Sequence, residues 1–448
     1  MSDEQAQAGT AEGQGPVRID EELSHRLEEK REELFEEFEL RDAFPGEVIR
    51  EAEERTTDID AEIESEVGEA YRTDCRELTT CTIDPSDAQD FDDAISIRKE
   101  EDGYRLWVHI ADVTHYVQPG TAMWEEALKR GNTVYLPGYT MHMLPPVLAE
   151  TVCSLVPNED RLAHTVEMKI DGETLSNESI DIYKSVVHSD ERLTYKQAEA
   201  RLDDEDADLH DELTLVHELA DQLHEQRKED GSLVLNPRRD RAHTIIEECM
   251  LKANKAVTHE LQWSRGLEAM FRVHPQPTEE KWNEALQEIQ DLDGVSIPGS
   301  AWDDPRKAVN ATLEEAPGRQ LDKIQWAVMK VMPRAKYMSD PFGGHHALNF
   351  EIYGHFTSPI RRLSDLVNHW IIYQDESPEG VVLADLCDHA SERGKAAETC
   401  ERIYKDFLQE VGLDPHAVNN RGVEVVEDAD DEAELDRRAE EVDAAAFE

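Results

Sequence analysis

Basic residues are scarce in this chain of 448 residues. It carries 46 lysines and arginines against 102 aspartates and glutamates, which gives a formal net charge of −56. The broad basic surface that is normal for nucleic-acid-binding proteins is therefore not available to the chain as a whole. A large acidic excess is typical of disordered chains or of globular proteins adapted to molar salt, where a Debye length of about 3 Å makes the self-repulsion tolerable. Because apolar periodicity persists along most of the chain, we predict a folded protein from a halophilic organism.

Cysteines and long apolar runs are also few. The six cysteines form no Cys-x-x-Cys pair and stand at no zinc spacing with histidines, so the common structural zinc sites are excluded. We expect buried thiols in a reducing compartment. No apolar run approaches the length of a membrane-spanning helix, and the opening residues have no secretory signal. The sequence therefore predicts a cytoplasmic protein with no membrane partner.

Composition and periodicity divide the chain into four stretches. Residues 1–16 are of low complexity and are predicted to be a disordered N-terminal tail. Residues 17–70 are predicted to be a helical N-terminal region, because leucines and phenylalanines recur there at helical spacing. Residues 71–410 mix alternating and helical segments and are predicted to form one large α+β domain. Residues 411–448 are predicted to be a solvated acidic C-terminal tail.

Five aspartates crowd the segment TIDPSDAQDFDDAISI, which spans residues 82–97. They are Asp84, Asp87, Asp90, Asp92 and Asp93. Carboxylates this close together repel one another unless a cation lies among them. Mg²⁺ prefers carboxylate, phosphate and water oxygens, and two such ions about 4 Å apart stabilise the attacking and leaving oxygens of a phosphodiester hydrolysis. An EF-hand is excluded, because a glutamine stands where that calcium loop requires glycine.

The setting of the aspartates distinguishes them from other acidic runs. Two alternating runs, AISI and GYRLWVHIADV, follow directly and are broken near Gly103, which predicts a β-hairpin. The aspartates would then lie on a loop that enters a sheet, where functional residues are commonly found. The alternative is a solvated surface cluster, since acidic runs are abundant in this chain.

The aspartate segment resembles the signature of the ribonuclease II/ribonuclease R (RNB) exoribonucleases. Eight further segments resemble the family and follow in its order: HIADVTHYV, YLPG, MLPPVLAETVCSL, LTYKQ, IIEECMLKAN, FRVHPQPTEEK, HFTSPIRR and SERGKAAETCERI. The resemblance implies an α+β fold of the RNB type, with mixed sheets and surrounding helices that enclose an RNA channel. It also implies a Mg²⁺-dependent enzyme, with Mn²⁺ as the alternative ion, that degrades single-stranded RNA from the 3′ end to nucleoside 5′-monophosphates. The OB-fold domains that flank the catalytic domain of bacterial members are not expected here.

The resemblance assigns metal binding to four of the five aspartates, namely Asp84, Asp90, Asp92 and Asp93. Asp87 falls on a variable position and is left out. Asp92 is also a candidate catalytic residue, expected to orient the attacking water or to complete a second metal site. The other three aspartates are the expected direct ligands.

The resemblance also assigns catalytic roles to Arg361 and Glu401 and RNA binding to Tyr135, Glu247, Arg361 and Arg362. A fixed guanidinium matches the charge of a phosphodiester transition state, and a tyrosine ring stacks on any base. The alternatives are that Tyr135 is a core residue and that the arginines pair with surface acids. Histidines at 345, 346 and 355 suggest a metal site less well, because Mg²⁺ prefers oxygen ligands.

Because the chain is so acidic, its few basic residues are expected to line the RNA channel locally. The residues proposed for this lining are Arg238, Arg239, Arg241, Lys252, Lys330, Arg334, Lys336, Arg361 and Arg362. Two other classes of function stay open. The protein could be an RNA-binding subunit with weak or no turnover, or a structural subunit that joins an RNA-decay assembly through its acidic ends. A monomer is expected.

Overall fold

The computed structural model describes residues 15–57, 59–236, 239–299 and 304–425. Nearly all of the predicted N-terminal tail and most of the predicted acidic tail lie outside the described residues. The described chain forms two compact units. The smaller unit contains residues 15–43, 134–141 and 395–425, and the larger unit contains the described residues of 44–133 and 142–394.

The described part of the chain contains thirteen strands: β1 (Val17–Ile19), β2 (Thr73–Asp74), β3 (Cys81–Asp84), β4 (Asp93–Glu100), β5 (Gly103–Ala111), β6 (Val134–Leu136), β7 (Tyr139–Met141), β8 (Asp160–Asp171), β9 (Asn177–His188), β10 (Glu191–Thr194), β11 (Phe271–Val273), β12 (Lys336–Met338) and β13 (Val423–Val425).

The α-helices of the same residues are α1 (Glu21–Glu37), α2 (Gly46–Arg55), α3 (Ile59–Gly68), α4 (Val113–Tyr116), α5 (Ala122–Arg130), α6 (Tyr195–Leu202), α7 (His210–Glu229), α8 (Arg241–His259), α9 (Glu279–Gln290), α10 (Pro305–Glu315), α11 (Leu321–Val331), α12 (Leu363–Gln374), α13 (Leu383–Glu410) and α14 (Pro415–Arg421). None of the helices in the described ranges combines the length and the apolar character that a membrane span requires.

A seven-stranded sheet is the centre of the larger unit, with the strand order β10-β3-β4-β5-β8-β9-β2. The pairs β10–β3 and β2–β9 are parallel, and the others are antiparallel. Helices surround this mixed sheet, so the predicted α+β class is confirmed. The predicted hairpin after the aspartates is also present, because β4 pairs with β5 from Asp93↔Ile110 to Glu100↔Gly103.

One cross-strand row of this sheet matters for the site. Asp93 pairs with Ile110, Ile110 with His164, and His164 with Lys184. Directly paired residues of an antiparallel sheet project to the same face. The four side chains therefore share one face, with Asp93 at one end of the row and Lys184 at the other.

Buried apolar residues anchor the aspartate segment to the core of the larger unit. Ile83 and Phe91 are both buried within it, and burial of one such side chain stabilises the fold by about 1.5–3 kcal/mol. Ser154 holds the loop as well, because its hydroxyl accepts from the Phe91 N–H at 2.9 Å and donates to the Gln89 carbonyl at 2.8 Å. The loop between β3 and β4 is therefore fixed at both of these points.

The smaller unit packs its own core from α1, the β6–β7 hairpin, the later part of α13, and α14. Its strands β1 and β13 pair in parallel, with Val17 opposite Val423. Two details differ from the sequence prediction. The region 17–70 opens with a strand, and residues 415–425 of the predicted solvated tail form a helix and a strand. The physical reason is burial, because Val418 is almost fully enclosed by the apolar core of this unit.

Candidate active site

The four predicted metal-binding aspartates lie at one edge of the sheet. Asp84 ends β3 and Asp93 begins β4, while Asp90 and Asp92 belong to the connecting loop. Asp92 is buried, with 3% of its surface exposed, and the other three are half-buried. Asp87 is exposed. The alternative of a solvated surface cluster is therefore wrong for these four residues.

Burial perturbs three of these carboxyl groups, and it raises the pKa of Asp92 well above its usual value although Arg361 opposes the shift. Burial, followed by the nearby charge of Asp93, raises the pKa of Asp84 to about 7. Burial raises the pKa of Asp93 to about 6, although Arg361 and Arg362 oppose the shift. The Oδ2 atom of Asp84 is buried and has no hydrogen-bond partner among the described residues. A cation would relieve both the repulsion and the unpaired oxygen.

These residues have the right donor atoms for a metal ion, but their side chains are not arranged as a complete coordination site. Their donors are all carboxylate oxygens, which hard divalent cations prefer. In the ranges that the structure describes, however, no three histidine, cysteine, aspartate or glutamate side chains converge as a metal-binding group. This holds for the aspartates and also for His345, His346 and His355. Bound metal would therefore have to draw the carboxylates together.

Asp92 joins the aspartate loop to a segment far away in sequence. Its Oδ1 accepts a hydrogen bond from the Ile360 N–H at 2.8 Å, and its Oδ2 accepts one from Arg361 Nε at 3.1 Å. Arg361 Nη2 also donates to Ser358 Oγ at 2.9 Å. The guanidinium is thus held in place by two oxygens, although 43% of the Arg361 side chain remains exposed.

Asp365 fixes the same segment from the other side, and the sequence did not indicate it. Its buried carboxylate accepts from the Ser358 N–H at 2.8 Å and from Arg362 Nη2 at 2.6 Å. The Ser364 hydroxyl donates to its second oxygen at 2.8 Å. The predicted RNA-binding Arg362 is therefore half-buried in an ion pair that also shapes the turn before Arg361.

Glu247, a predicted RNA-binding residue, lies on α8 and is partly exposed. It pairs with Arg239 and accepts from Arg227 Nη2 at 3.2 Å. Close by, Tyr195 begins α6 directly after Thr194, which pairs with Asp84. Burial and then the charges of Asp93 and Asp84 raise the pKa of Tyr195 to about 12.

Sequence analysis assigned no role to Tyr195, although it belongs to the LTYKQ segment. Its ring stacks on the His243 ring, with centroids 3.7 Å apart and planes 5° from parallel. This aromatic pair adds a flat surface beside the aspartates. Tyr195 approaches the aspartates only through the tertiary fold. No local sequence pattern therefore indicates its position.

Tyr135 and Glu401 belong to the smaller unit and are described by themselves. Tyr135 is the central residue of β6, between buried Val134 and Leu136, and is 37% exposed. The alternative that Tyr135 is a core residue is therefore wrong. Glu401 lies on α13 and forms an ion pair with Lys405 at 2.6 Å.

The predicted basic lining is not one continuous set. Lys252 donates to the carbonyl of Leu175 at 2.7 Å, in the turn that joins β8 and β9. That turn is at the far end of the sheet from Asp93, about 23 Å away along β4 at 3.3 Å per residue. Lys330 pairs instead with Glu288 on α9. The expectation fails for Lys252, because α8 directs its side chain to the far end of the sheet. Arg238 lies outside the described residues.

The chain is similar to known proteins over most of its length. The RNB domain family matches residues 72–375. Ribonuclease R of Aquifex aeolicus is 35% identical over 410 residues, which cover 84% of this chain and 57% of that protein. Ribonuclease R of Escherichia coli is 33% identical over 387 residues, which cover 77% of this chain and 47% of that protein. The chain therefore spans about half the length of these curated relatives.

Solved structures share the fold. Mycoplasma genitalium RNase R in complex with ribose methylated single-stranded RNA has a TM-score of 0.75 and 24% identity, covering 84% of this chain and 63% of that chain. Yeast Ssd1, a pseudonuclease, has a TM-score of 0.65 and 24% identity, covering 75% of this chain and 45% of that chain. The RNB match covers residues 72–375, which is more than half of the chain. The chain therefore belongs to the RNB domain family.

Proposed function

We propose that this protein is a 3′-to-5′ exoribonuclease that hydrolyses single-stranded RNA to nucleoside 5′-monophosphates. The observation that carries the proposal is the hydrogen bond from Arg361 to Asp92, which brings residues 269 positions apart together beside Asp84 and Asp93. Half-buried carboxylates for a cation and a fixed guanidinium for phosphoryl charge are two elements that metal-assisted phosphodiester hydrolysis uses.

Divalent cations fit the aspartate edge of the sheet. Asp84, Asp90 and Asp93 would hold Mg²⁺, or Mn²⁺ in its place, through carboxylate oxygens. Asp92 is the fourth candidate ligand, and its other candidate role is to position Arg361. When bound, such ions would polarise the phosphodiester and lower the pKa of the attacking water. The raised pKa values of Asp84 and Asp93 support this assignment, because a bound cation restores the ionised form of both groups.

The chain's own residues would position the RNA and stabilise the developing charge. Asp92 fixes the Arg361 guanidinium, which would face the equatorial phosphoryl oxygens. Arg362 and Glu247 would contact the RNA backbone and ribose. Tyr135, exposed on β6, would stack on the terminal base at about 1–3 kcal/mol without sequence preference. Glu401 is proposed to take part in catalysis.

The acidic composition shapes the proposed setting. We propose a halophilic source, a cytoplasmic location and a monomer that meets RNA-decay partners through its acidic ends. In molar salt the release of counterions adds little to RNA affinity. Stacking, hydrogen bonds and metal bridges would then supply most of the binding, so the low number of basic residues does not oppose the proposal.

A second candidate function is RNA binding with weak or no turnover. It is kept because yeast Ssd1, which is described as a pseudonuclease, shares the fold with this chain. All four aspartates and Arg361 are present here, and this favours the enzyme over the binding protein.

A labelled RNA assay tests the proposal. A single-stranded RNA carrying a 5′ label is incubated with the protein and Mg²⁺ in about 2 M KCl, a salt level that suppresses self-repulsion. A ladder that shortens from a free 3′ end, and that a blocked 3′ end prevents, is the expected result. Internal cuts that ignore the block would refute the exonuclease, and binding without cleavage would leave the second candidate.

A further inference from the structure

The part of the chain that carries Arg361 lies directly against helix α8. It comprises residues 354–362 and is called here the arginine segment. A Cβ atom on its first residue, Gly354, would lie 3.0 Å from the Thr258 hydroxyl of α8, closer than ordinary van der Waals contact. No side chain therefore fits between the two elements at this point. One helical turn before Thr258 is Asn254, which is 3% exposed.

Asn254 uses both ends of its amide group on this part of the chain. Its Oδ1 accepts from the Phe356 N–H at 2.7 Å, and its Nδ2 donates to the Thr357 hydroxyl at 3.2 Å. Because a backbone N–H can only donate, the amide oxygen must face Phe356, and this fixes the orientation of the group. Nδ2 also donates to the Tyr353 hydroxyl at 3.3 Å. One buried side chain of α8 thus holds the chain on both sides of Gly354.

The hydrogen bonds of Asn254 act next to the residue that orients Arg361. Ser358 follows Thr357 directly, and its hydroxyl accepts from Arg361 Nη2 at 2.9 Å. The Ser358 carbonyl accepts from the Arg362 N–H at 3.0 Å, which closes the turn around Arg361. The place at which Asn254 holds Thr357 therefore determines where this turn begins.

The contact joins two segments that the sequence analysis quoted separately. Asn254 is the last residue of IIEECMLKAN, and Phe356 is the second residue of HFTSPIRR, 102 positions later. Glu247, a predicted RNA-binding residue, lies seven residues before Asn254 on the same helix, about 10 Å away. Helix α8 therefore carries both a candidate RNA contact and the amide that holds the arginine segment.

We propose that Asn254 is a positioning residue, which sets the place of the Arg361 guanidinium relative to α8 and to the RNA that α8 would contact. Asn254 is buried and does not itself touch RNA. The inference deepens the proposed exoribonuclease function, and its kinetic part rests on that function. A displacement of about 1 Å in a group that stabilises the transition state can reduce the rate about 10²-fold.

Hydrogen exchange at arginine Nε–H groups, measured by NMR, tests the positioning without RNA. The full chain is labelled with ¹⁵N-arginine and kept in EDTA, and the Arg361 signal is identified by its loss in Arg361→Lys. Asn254→Ala should raise the exchange rate of the Arg361 Nε–H about tenfold, the effect of weakening one hydrogen bond. Arg227 Nε, which donates to Glu248 of the same helix at 3.1 Å, should exchange as before, because α8 stays packed.

Steady-state kinetics on single-stranded RNA with Mg²⁺ tests the consequence. Asn254→Ala should lower kcat about 10- to 100-fold and leave KM nearly unchanged, because the group that it displaces acts in the transition state. In an Arg361→Lys background the same change should have little further effect. Two residues that act through one group are not additive, whereas independent losses would multiply.

Asn310→Ala is the matched control. Asn310 is a buried asparagine of α10 that accepts from the Val234 N–H at 2.9 Å and donates to the Ser232 carbonyl at 2.7 Å. Its loss should destabilise the fold in a similar way without changing kcat or the exchange of Arg361. If Asn254→Ala does not fold, Thr357→Val removes one of the same hydrogen bonds from the other side and should shift both measurements in the same direction.

Three results would overturn the proposal. They are an unchanged Arg361 exchange rate in Asn254→Ala, an equal rise in the exchange of Arg227, or the same loss of kcat in Asn310→Ala. A wild-type protein that does not degrade RNA would refute the proposed function instead. The comparison of the exchange rates of Arg361 and Arg227 would still decide the role of Asn254.

Discussion

Replacing Asp92 by asparagine is the most informative change at the site. The amide can still accept the hydrogen bond from the Ile360 N–H with its one oxygen. Its NH₂ group would then face Arg361 Nε, so two donors would meet where a charge-assisted hydrogen bond of 3.1 Å now exists. Arg361 would lose its fixed orientation while the rest of the site keeps its residues.

The size of the effect follows from that hydrogen bond. A hydrogen bond to a charged group contributes about 1.5–3 kcal/mol. Because 43% of the Arg361 side chain is exposed, solvent screens the pair and we expect the lower end, about 1.5 kcal/mol of unfolding free energy. The loss in kcat should be larger, about 10²- to 10³-fold, because a transition-state donor is no longer preorganised.

The assay measures kcat and the Mg²⁺ concentration for half-maximal rate in both proteins. If Asp92 acts by positioning Arg361, kcat falls and the Mg²⁺ requirement stays the same. Asp87→Asn, an identical change at an exposed aspartate of the same loop, should alter neither value. A large rise in the Mg²⁺ requirement of Asp92→Asn would refute the positioning argument and make Asp92 a metal ligand.

Three further results are expected. The pKa values of Asp84 and Asp93, about 7 and about 6, exceed the unfolded value of 3.8, so the metal-free folded protein binds more protons than the unfolded chain. Thermal melts in EDTA should therefore show that stability falls as the pH rises from about 4 to 7. Bound Mg²⁺ should remove this pH dependence. Tyr135→Ala should raise the Kd for RNA about 5- to 100-fold through lost stacking, and Tyr135→Phe should not, by fluorescence anisotropy. Asp365→Ala should cost about 3–5 kcal/mol in urea unfolding, because Arg362 stays half-buried without its partner, and Asp365→Asn should cost less.

The parts of the site that the sequence could predict are those encoded locally. Five aspartates next to two alternating runs predict a loop that enters a hairpin, and β4 and β5 have that form. The buried residues Ile83 and Phe91, which flank the aspartates, are visible in the sequence as apolar positions. Local periodicity therefore suffices for this edge of the sheet.

The contacts that complete the site could not be predicted in the same way. Asp92 and Ile360 are 268 residues apart, and no helical or strand period joins positions at that separation. Asp365 lies in a helix whose other residues are mostly apolar, so nothing in its sequence shows that its carboxylate faces a turn rather than solvent. Such pairings are set by tertiary packing, which a local pattern does not contain.

For the basic residues the sequence led to a prediction that the structure contradicts in part. Composition suggested that the few lysines of an acidic chain gather at one functional surface, but Lys252 binds a backbone carbonyl at the far end of the sheet. The direction of a lysine side chain is set by the face of the helix that carries it. On α8, Lys252 lies more than one helical turn beyond Glu247, so the two side chains reach different parts of the sheet. A low number of basic residues therefore does not show that those residues gather at the functional site.

The most direct test of the central claim is the chemical identity of what leaves the RNA. A single-stranded RNA is digested in isotopically labelled water with Mg²⁺, and the released molecules are analysed by mass spectrometry. Metal-assisted hydrolysis from the 3′ end predicts nucleoside 5′-monophosphates that carry one labelled oxygen in the phosphate, with the RNA shortened to match. Release of 3′-phosphates or cyclic phosphates, or no release while RNA remains bound, would contradict the account.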